Sequence, residues 1–142
     1  LCSQFDVGFC VRVYFCYIGI WTLIVKETDM DFTQDQINDI VREARDAAYA
    51  ASDEFFRVKL GGVDQYACGF AWTNIYKVKG NSKLGRMLKA AGIRQDYNRT
   101  FQLWNPAGYP VQNIDTLETG ARAAADVFRK YGFDAYAGSR LD

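Results

Sequence analysis

The chain has 142 residues, with 17 acidic and 17 basic side chains and 49% apolar residues, which argues against disorder or a strongly charged tail and leaves one globular domain plus an appendage as the expectation. It contains no histidine, so serine or cysteine triads that need an imidazole are excluded, and the commonest general base and metal ligand are missing. Cys2, Cys10 and Cys16 precede Met30 and only Cys68 follows it, with no CxxC spacing. We therefore expect neither a metal site nor a cofactor, and a reducing, cytoplasmic setting.

Residues 7–25, VGFCVRVYFCYIGIWTLIV, form a 19-residue apolar run with one charge, Arg12. As a helix it would span roughly 28 Å against a hydrocarbon core of about 30 Å, so its length just permits a membrane crossing. A secretory signal fits poorly, because neither a basic flank nor a small-residue cleavage site is visible. The many β-branched residues also allow one or two buried strands. The chain has no initiator Met, and Met30 directly precedes a well-formed helix start. We accordingly read residues 1–29 as an apolar leader, more readily sequence upstream of the native product than a membrane anchor, and residues 30–142 as a single globular domain.

From Asp31, the residues Ile37, Val41, Ala44, Ala48, Ala51 and Phe55 recur at helical spacing and predict a long helix with one apolar stripe. Thr33 and Gln36 make a capping box, Asp31, Asp35 and Asp39 crowd its start, Arg57 and Lys59 its end, and Gly61-Gly62 closes it. Next, QYACGFAWTNIYKVK alternates, with Tyr66, Cys68, Phe70, Trp72, Asn74 and Tyr76 on one face and Ala67, Gly69, Ala71, Thr73 and Ile75 on the other. The small face predicts close helix packing. The aromatic face is either core, as aromatics usually are, or a ligand platform. Cys68, on this strand, reads as a small core residue.

A short helix is predicted from an N-cap at Ser82 through Leu84, Met87 and Leu88 to Gly92. TFQLW (100–104) predicts a strand, and residues 105–113, which hold both prolines, a loop. A third helix is expected from a cap at Asp115, with Glu118 at the box position, through Leu117, Ala121, Ala124, Ala125 and Phe128 to Gly132. DAYAGSRLD predicts a last strand. The order is α-β-α-β-α-β, an α/β (α+β) fold with three helices on a small sheet of about three strands.

Two groups of residues carry functional potential. Lys77, Lys79, Lys83, Arg86, Lys89, Arg94 and Arg99 stand against the single acid Asp96, and with Phe70 and Trp72 this has the composition of a nucleic-acid surface. The phrase CGFAWTNI resembles the RNP1 octamer of the RNA-recognition motif at Gly69, Phe70, Ala71 and the aromatic Trp72. It departs from that octamer at Cys68, Thr73 and Ile75, and no second strand of the motif is identifiable, so by itself it carries no assignment. A solvated basic helix is the plainer reading. The second group, Trp104, Asn105, Gln112, Asn113, Asp115 and Arg140, gathers polar side chains in a loop and at the last strand, where binding residues tend to occur; each also has an ordinary role as turn former, cap or ion-pair partner.

The stretches GFAWTNIY, NSKLGRMLKAAGI, LWNPAGYPVQNID and YAGSRLD make residues 30–142 similar to small uncharacterised proteins of tailed phages and marine viral sequence. That resemblance implies a cytoplasmic, virus-encoded accessory protein and carries over no catalytic or binding residue. The expectation is a small binding or interaction protein without catalysis, whose partner is a host protein or a second copy. The alternatives are a nucleic-acid-binding domain using residues 66–99 and, third, a histidine-independent enzyme in which Asp115 and Arg140 converge. If residues 1–29 are not native, no membrane is involved.

Overall fold

The first helix, α1 (Gln34–Lys59), begins where Thr33 and Gln36 exchange hydrogen bonds: Gln36 N donates to Thr33 Oγ1 at 3.3 Å and Thr33 N donates to Gln36 Oε1 at 2.9 Å. Its stripe of Ile37, Ile40, Val41, Ala44 and Ala48 is buried, and Gly61 and Gly62, at φ of 64° and 78°, take the left-handed conformations that turn the chain out of the helix. The computed structural model describes residues 30–142, of which Phe32–Asp142 form one compact unit; the apolar run at 7–25 lies outside the described residues.

Strand β1 (Gly69–Tyr76) ends at Lys77, whose φ of 61° breaks the extended backbone. Helix α2 (Lys83–Ala90) follows, its first turn held by Gly85 N donating to Ser82 Oγ at 3.0 Å. A hairpin of β2 (Arg94–Gln95) and β3 (Phe101–Trp104) leads through the proline loop to α3 (Ile114–Lys130) and then to β4 (Asp134–Leu141). All strand pairs are antiparallel, in the order β2-β3-β1-β4.

The three expected helices are present, but the sheet has four strands where the sequence suggests about three, so the order is α-β-α-β-β-α-β. The extra strand, β2, is two residues long. It is too short to show any alternation, and only the partner β3 defines it. From β1 onward the connectivity and sheet order are those of the split β-α-β-β-α-β arrangement, with α1 added in front.

Alternation along β1 sorts the sheet into two faces. Ala71, Thr73 and Ile75 are buried together with Phe101, Leu103 and Ala135 of the neighbouring strands. Helix α3 lies on this face, with Leu117 and Ala121 clustered against Ala71, close enough for Thr73 Oγ1 to donate to Ala121 O at 2.9 Å. Helix α1 packs along α3, and Ser52 Oγ donates to Thr116 O at 2.9 Å across their contact. Leu88 of α2, Ile93, Phe101 and Phe128 are fully buried and close the core, each contributing about 1.5–3 kcal/mol.

Two carboxylates of α1 tie the helices to later segments. Glu43 accepts from Lys130 Nζ and, at 2.6 Å, from Tyr131 Oη; these bonds hold its carboxyl below the usual range and raise the Lys130 ammonium and the Tyr131 phenol. Asp53 accepts from Tyr109 Oη at 2.8 Å and from Arg57 Nε at 2.9 Å, which also lowers it. A depressed carboxylate contributes stability above its unfolded pKa of about 4 and loses it as pH falls through the folded value. We expect the melting temperature to fall on acidification below about pH 4, and the Glu43→Gln/Asp53→Asn variant to show a shallower fall over the same window. Parallel acid limbs in thermal melts of the two proteins would remove these groups from the account.

Candidate functional site

On the other side of the sheet no element among the described residues covers the aromatic face. The strand registers assign its composition row by row. Phe70 sits opposite Arg140, Trp72 lies between Trp104 and Gly138, Asn74 lies between Gln102 and Tyr136 with Arg94 beyond Gln102, and Tyr76 sits opposite Asp134.

Trp72 and Trp104 stack with ring centroids 5.3 Å apart and planes within 5°, and Phe70 abuts Trp104 at 5.8 Å. The Trp72 indole leans over Gly138, where a Cβ would stand 2.6 Å from Nε1; only a residue without a side chain lets the ring settle there. Trp72 Nε1 is buried against the sheet without a hydrogen-bond partner among the described residues. Trp104 rests on this supported ring and is 50% exposed. Tyr76 and Tyr136 form a second aromatic pair at 6.1 Å.

Polar and charged groups alternate with the rings. Gln102 Nε2 donates to Asn74 Oδ1 at 3.1 Å in the middle of the sheet. The Arg140 guanidinium lies 5.9 Å from the Phe70 centroid, and that of Arg129, at the end of α3, reaches Tyr136 at 5.4 Å. Carboxylates occur at the Tyr76 end, where Asp134 is paired with Lys77 at 3.3 Å and Asp96 accepts from Gln102 Nε2 at 3.4 Å. The rows through Phe70, Trp72 and Asn74 contain none.

The basic segment does not form one surface with these rings, as its sequence position beside β1 suggests. Arg94 shares the aromatic face, but Gln95 pairs with Phe101 and so points to the helix side. Lys79, Arg86, Lys89 and Arg99 line a cleft of about 790 Å³ there, between the loop after β1, helix α2 and the β2–β3 hairpin. Lys77 stands at the end of β1, and Lys83 opens α2.

Of the polar candidates, Trp104 and Arg140 share the aromatic face, in adjacent rows on either side of β1. Asn105 follows β3 at a φ of 40°, its N–H bonded to Ala71 O at 3.0 Å and its Oδ1 buried without a partner among the described residues. The backbone N–H groups of Gln112 and Asn113 both donate to the Asp64 carboxylate, at 2.9 and 3.1 Å, which fixes the loop against the segment before β1. Asp115 is an exposed first-turn residue of α3 on the helix side, so it does not converge with Arg140.

The cap of α3 is Asn113 where the sequence suggests Asp115, because Asn113 Oδ1 reaches Thr116 N at 2.8 Å and Thr116 Oγ1 at 2.9 Å while its Nδ2 donates to Gln65 O at 2.7 Å. The side chain is fully buried and consumed by these bonds. Asn113→Ala would strip the cap and leave Thr116 and Gln65 groups unsatisfied, so we expect a loss of about 2–3 kcal/mol in urea denaturation. A loss below about 0.5 kcal/mol would show that water replaces the amide.

Cys68 also departs from expectation: it precedes β1, makes an isolated bridge with Asn113 and is exposed where a core residue is expected. Gln102, Tyr136 and Gly138 belong to the aromatic face without having been singled out from the sequence, and Arg94, marked there as one of seven basic residues, joins them. Alternation in DAYAGSRL could have placed Tyr136, Gly138 and Arg140 together, whereas nothing local tells which face Arg94 takes. Among the described residues no helix is long and apolar enough to cross a membrane, and no group of three or more Cys, Asp or Glu side chains is arranged to hold a metal. Comparisons with protein-family models, with curated proteins and with solved structures find no match to this chain.

Proposed function

We propose that this protein is a binding domain for single-stranded nucleic acid, with bases stacked on the sheet face around Trp104 and Trp72. The observation that carries this reading is a sheet face that no element among the described residues covers, on which a supported, half-exposed indole stands with Phe70, Arg140 and Arg94. Planar rings bind bases of any sequence through their faces, and guanidinium groups beside them serve the phosphates. A four-stranded sheet with aromatic side chains on one face is also how RNA-recognition motifs stack two or three bases. The central Asn74 and Gln102 amides offer donors and acceptors to base edges.

An exposed aromatic cluster of this size marks an interaction surface, and the choice among partners rests on the cations interleaved with the rings. The resemblance of residues 30–142 to small tailed-phage proteins supports a cytoplasmic accessory role in an infected cell. The test is fluorescence anisotropy of a labelled oligonucleotide of about twelve nucleotides titrated with the full chain at low and moderate salt. Saturable binding that weakens with salt and favours single over double strands supports the reading. No binding at low salt, or equal binding of duplex, would overturn it.

A further inference from the structure

We infer that the cleft beyond strand β2 is a second binding site, for a phosphate group carrying two or more negative charges. Lys79, Arg86, Lys89 and Arg99 converge on one concavity of about 790 Å³, with no carboxylate among its described lining residues. Among the described residues none of these four cations is paired with an acid. A cleft with walls of one sign focuses its field on an entering counter-ion. A phosphodiester brings one negative charge, whereas a terminal phosphate carries about 1.5–2 at neutral pH and a polyphosphate more. Four cations around a single volume match the latter.

The walls are also built for close approach. A Cβ at Gly85 would collide with the Lys79 carbonyl oxygen, so this glycine lets the loop after β1 lie directly on α2. The backbone N–H groups of Gly80 and Asn81, on the wall of the cleft, have no hydrogen-bond partner among the described residues. Free amides of this kind are anion donors.

Arg99 supplies an independent sign. Asp96 N donates to Thr100 O at 2.8 Å and Arg99 N to Asp96 O at 2.9 Å, which closes a three-residue hairpin loop of Tyr97, Asn98 and Arg99. The third position of such a loop is left-handed and is ordinarily glycine. Here it is Arg99, at a φ of 65°. The chain holds an arginine in a strained conformation where glycine would be free, and this arginine lines the cleft.

Two sources present this chemistry: the phosphorylated end of a strand and a free nucleotide. The experiment uses the full chain, with inorganic tripolyphosphate, a nucleoside triphosphate, and 5′-phosphorylated and 5′-hydroxyl oligonucleotides as ligands in calorimetric titrations. Tripolyphosphate is expected to bind, and Arg99→Gly to weaken it about tenfold while leaving the melting temperature equal or higher. Arg86→Glu should weaken it further. A tenfold preference for the 5′-phosphorylated oligonucleotide assigns the strand end; triphosphate binding without that preference assigns the free nucleotide. Both results support the site. Absence of binding by tripolyphosphate and triphosphate together with no end preference, or binding unchanged in Arg99→Gly and Arg86→Glu, overturns it. Binding of the 5′-hydroxyl oligonucleotide reports on the aromatic face alone, so the two surfaces succeed or fail separately.

Discussion

Trp104→Ala is expected to weaken binding of single-stranded oligonucleotides by about ten- to a hundredfold, the loss of roughly one stacked base at about 1–3 kcal/mol. The indole is half exposed, so little core packing goes with it, and the melting temperature should move by only a few degrees. Trp104→Phe keeps a ring face and should recover part of the affinity. The salt dependence provides the control. Removing a ring leaves the phosphate contacts in place, so the slope of log K against log salt should not change. Arg94→Gln and Arg140→Gln should each reduce that slope by about 0.7 while affecting all base compositions equally. If Trp104→Ala binds as tightly as the parent chain, bases do not stack on this face.

A second large effect is expected at the contact of α1 with α3. Gly120 lies mid-helix, where alanine should be the better helix former by about 1 kcal/mol. A Cβ there, however, would meet Ser52 Oγ, stand 3.0 Å from the Ala107 Cβ and 3.1 Å from the Ala48 carbonyl oxygen. Ser52 cannot easily turn away, because it is fully buried and donates to Thr116 O. Overpacking costs about 1–3 kcal/mol, and with a backbone atom among the neighbours this outweighs the propensity gain. Gly120→Ala should therefore destabilise the fold by about 1–2 kcal/mol in urea denaturation.

The partner substitution decides the mechanism. Ser52→Ala removes the closest obstacle, and Thr116 O keeps its place in the α3 hydrogen-bond ladder after the serine is gone. Ser52→Ala/Gly120→Ala should regain most of the stability lost in Gly120→Ala, giving a coupling of about 1 kcal/mol. Simple addition of the two single effects would place the constraint at Ala48 and Ala107.

Where local chemistry dictates structure, the sequence is readable. The capping box of Thr33 and Gln36 and the glycine stop at Gly61 bound α1, and the Ser82 cap opens α2. Strand β1 shows small and bulky residues on alternate faces, and α3 covers the small one as expected. Less readable were features made by partners far along the chain. β2 exists because β3 pairs with it, and Asn113 displaces Asp115 as the cap because Gln65 engages its amide nitrogen while Thr116 engages its oxygen.

The division holds for the two candidate surfaces as well. By its composition the sequence marks residues 66–99 as aromatic and basic, because side-chain type is local information. It cannot say which of those residues share a face, since a strand sends successive side chains to opposite sides and register decides what lies opposite. Antiparallel pairing of β1 with β3 and β4 brings Trp104, Arg140 and the gap at Gly138 to Trp72, while the parity of β2 sends Arg94 to the rings and Gln95 to the helix side with the cleft. The alternation of β1 by itself determines that one side of this strand is aromatic; only the tertiary structure shows that α3 packs on the opposite side and that no element among the described residues covers the aromatic one.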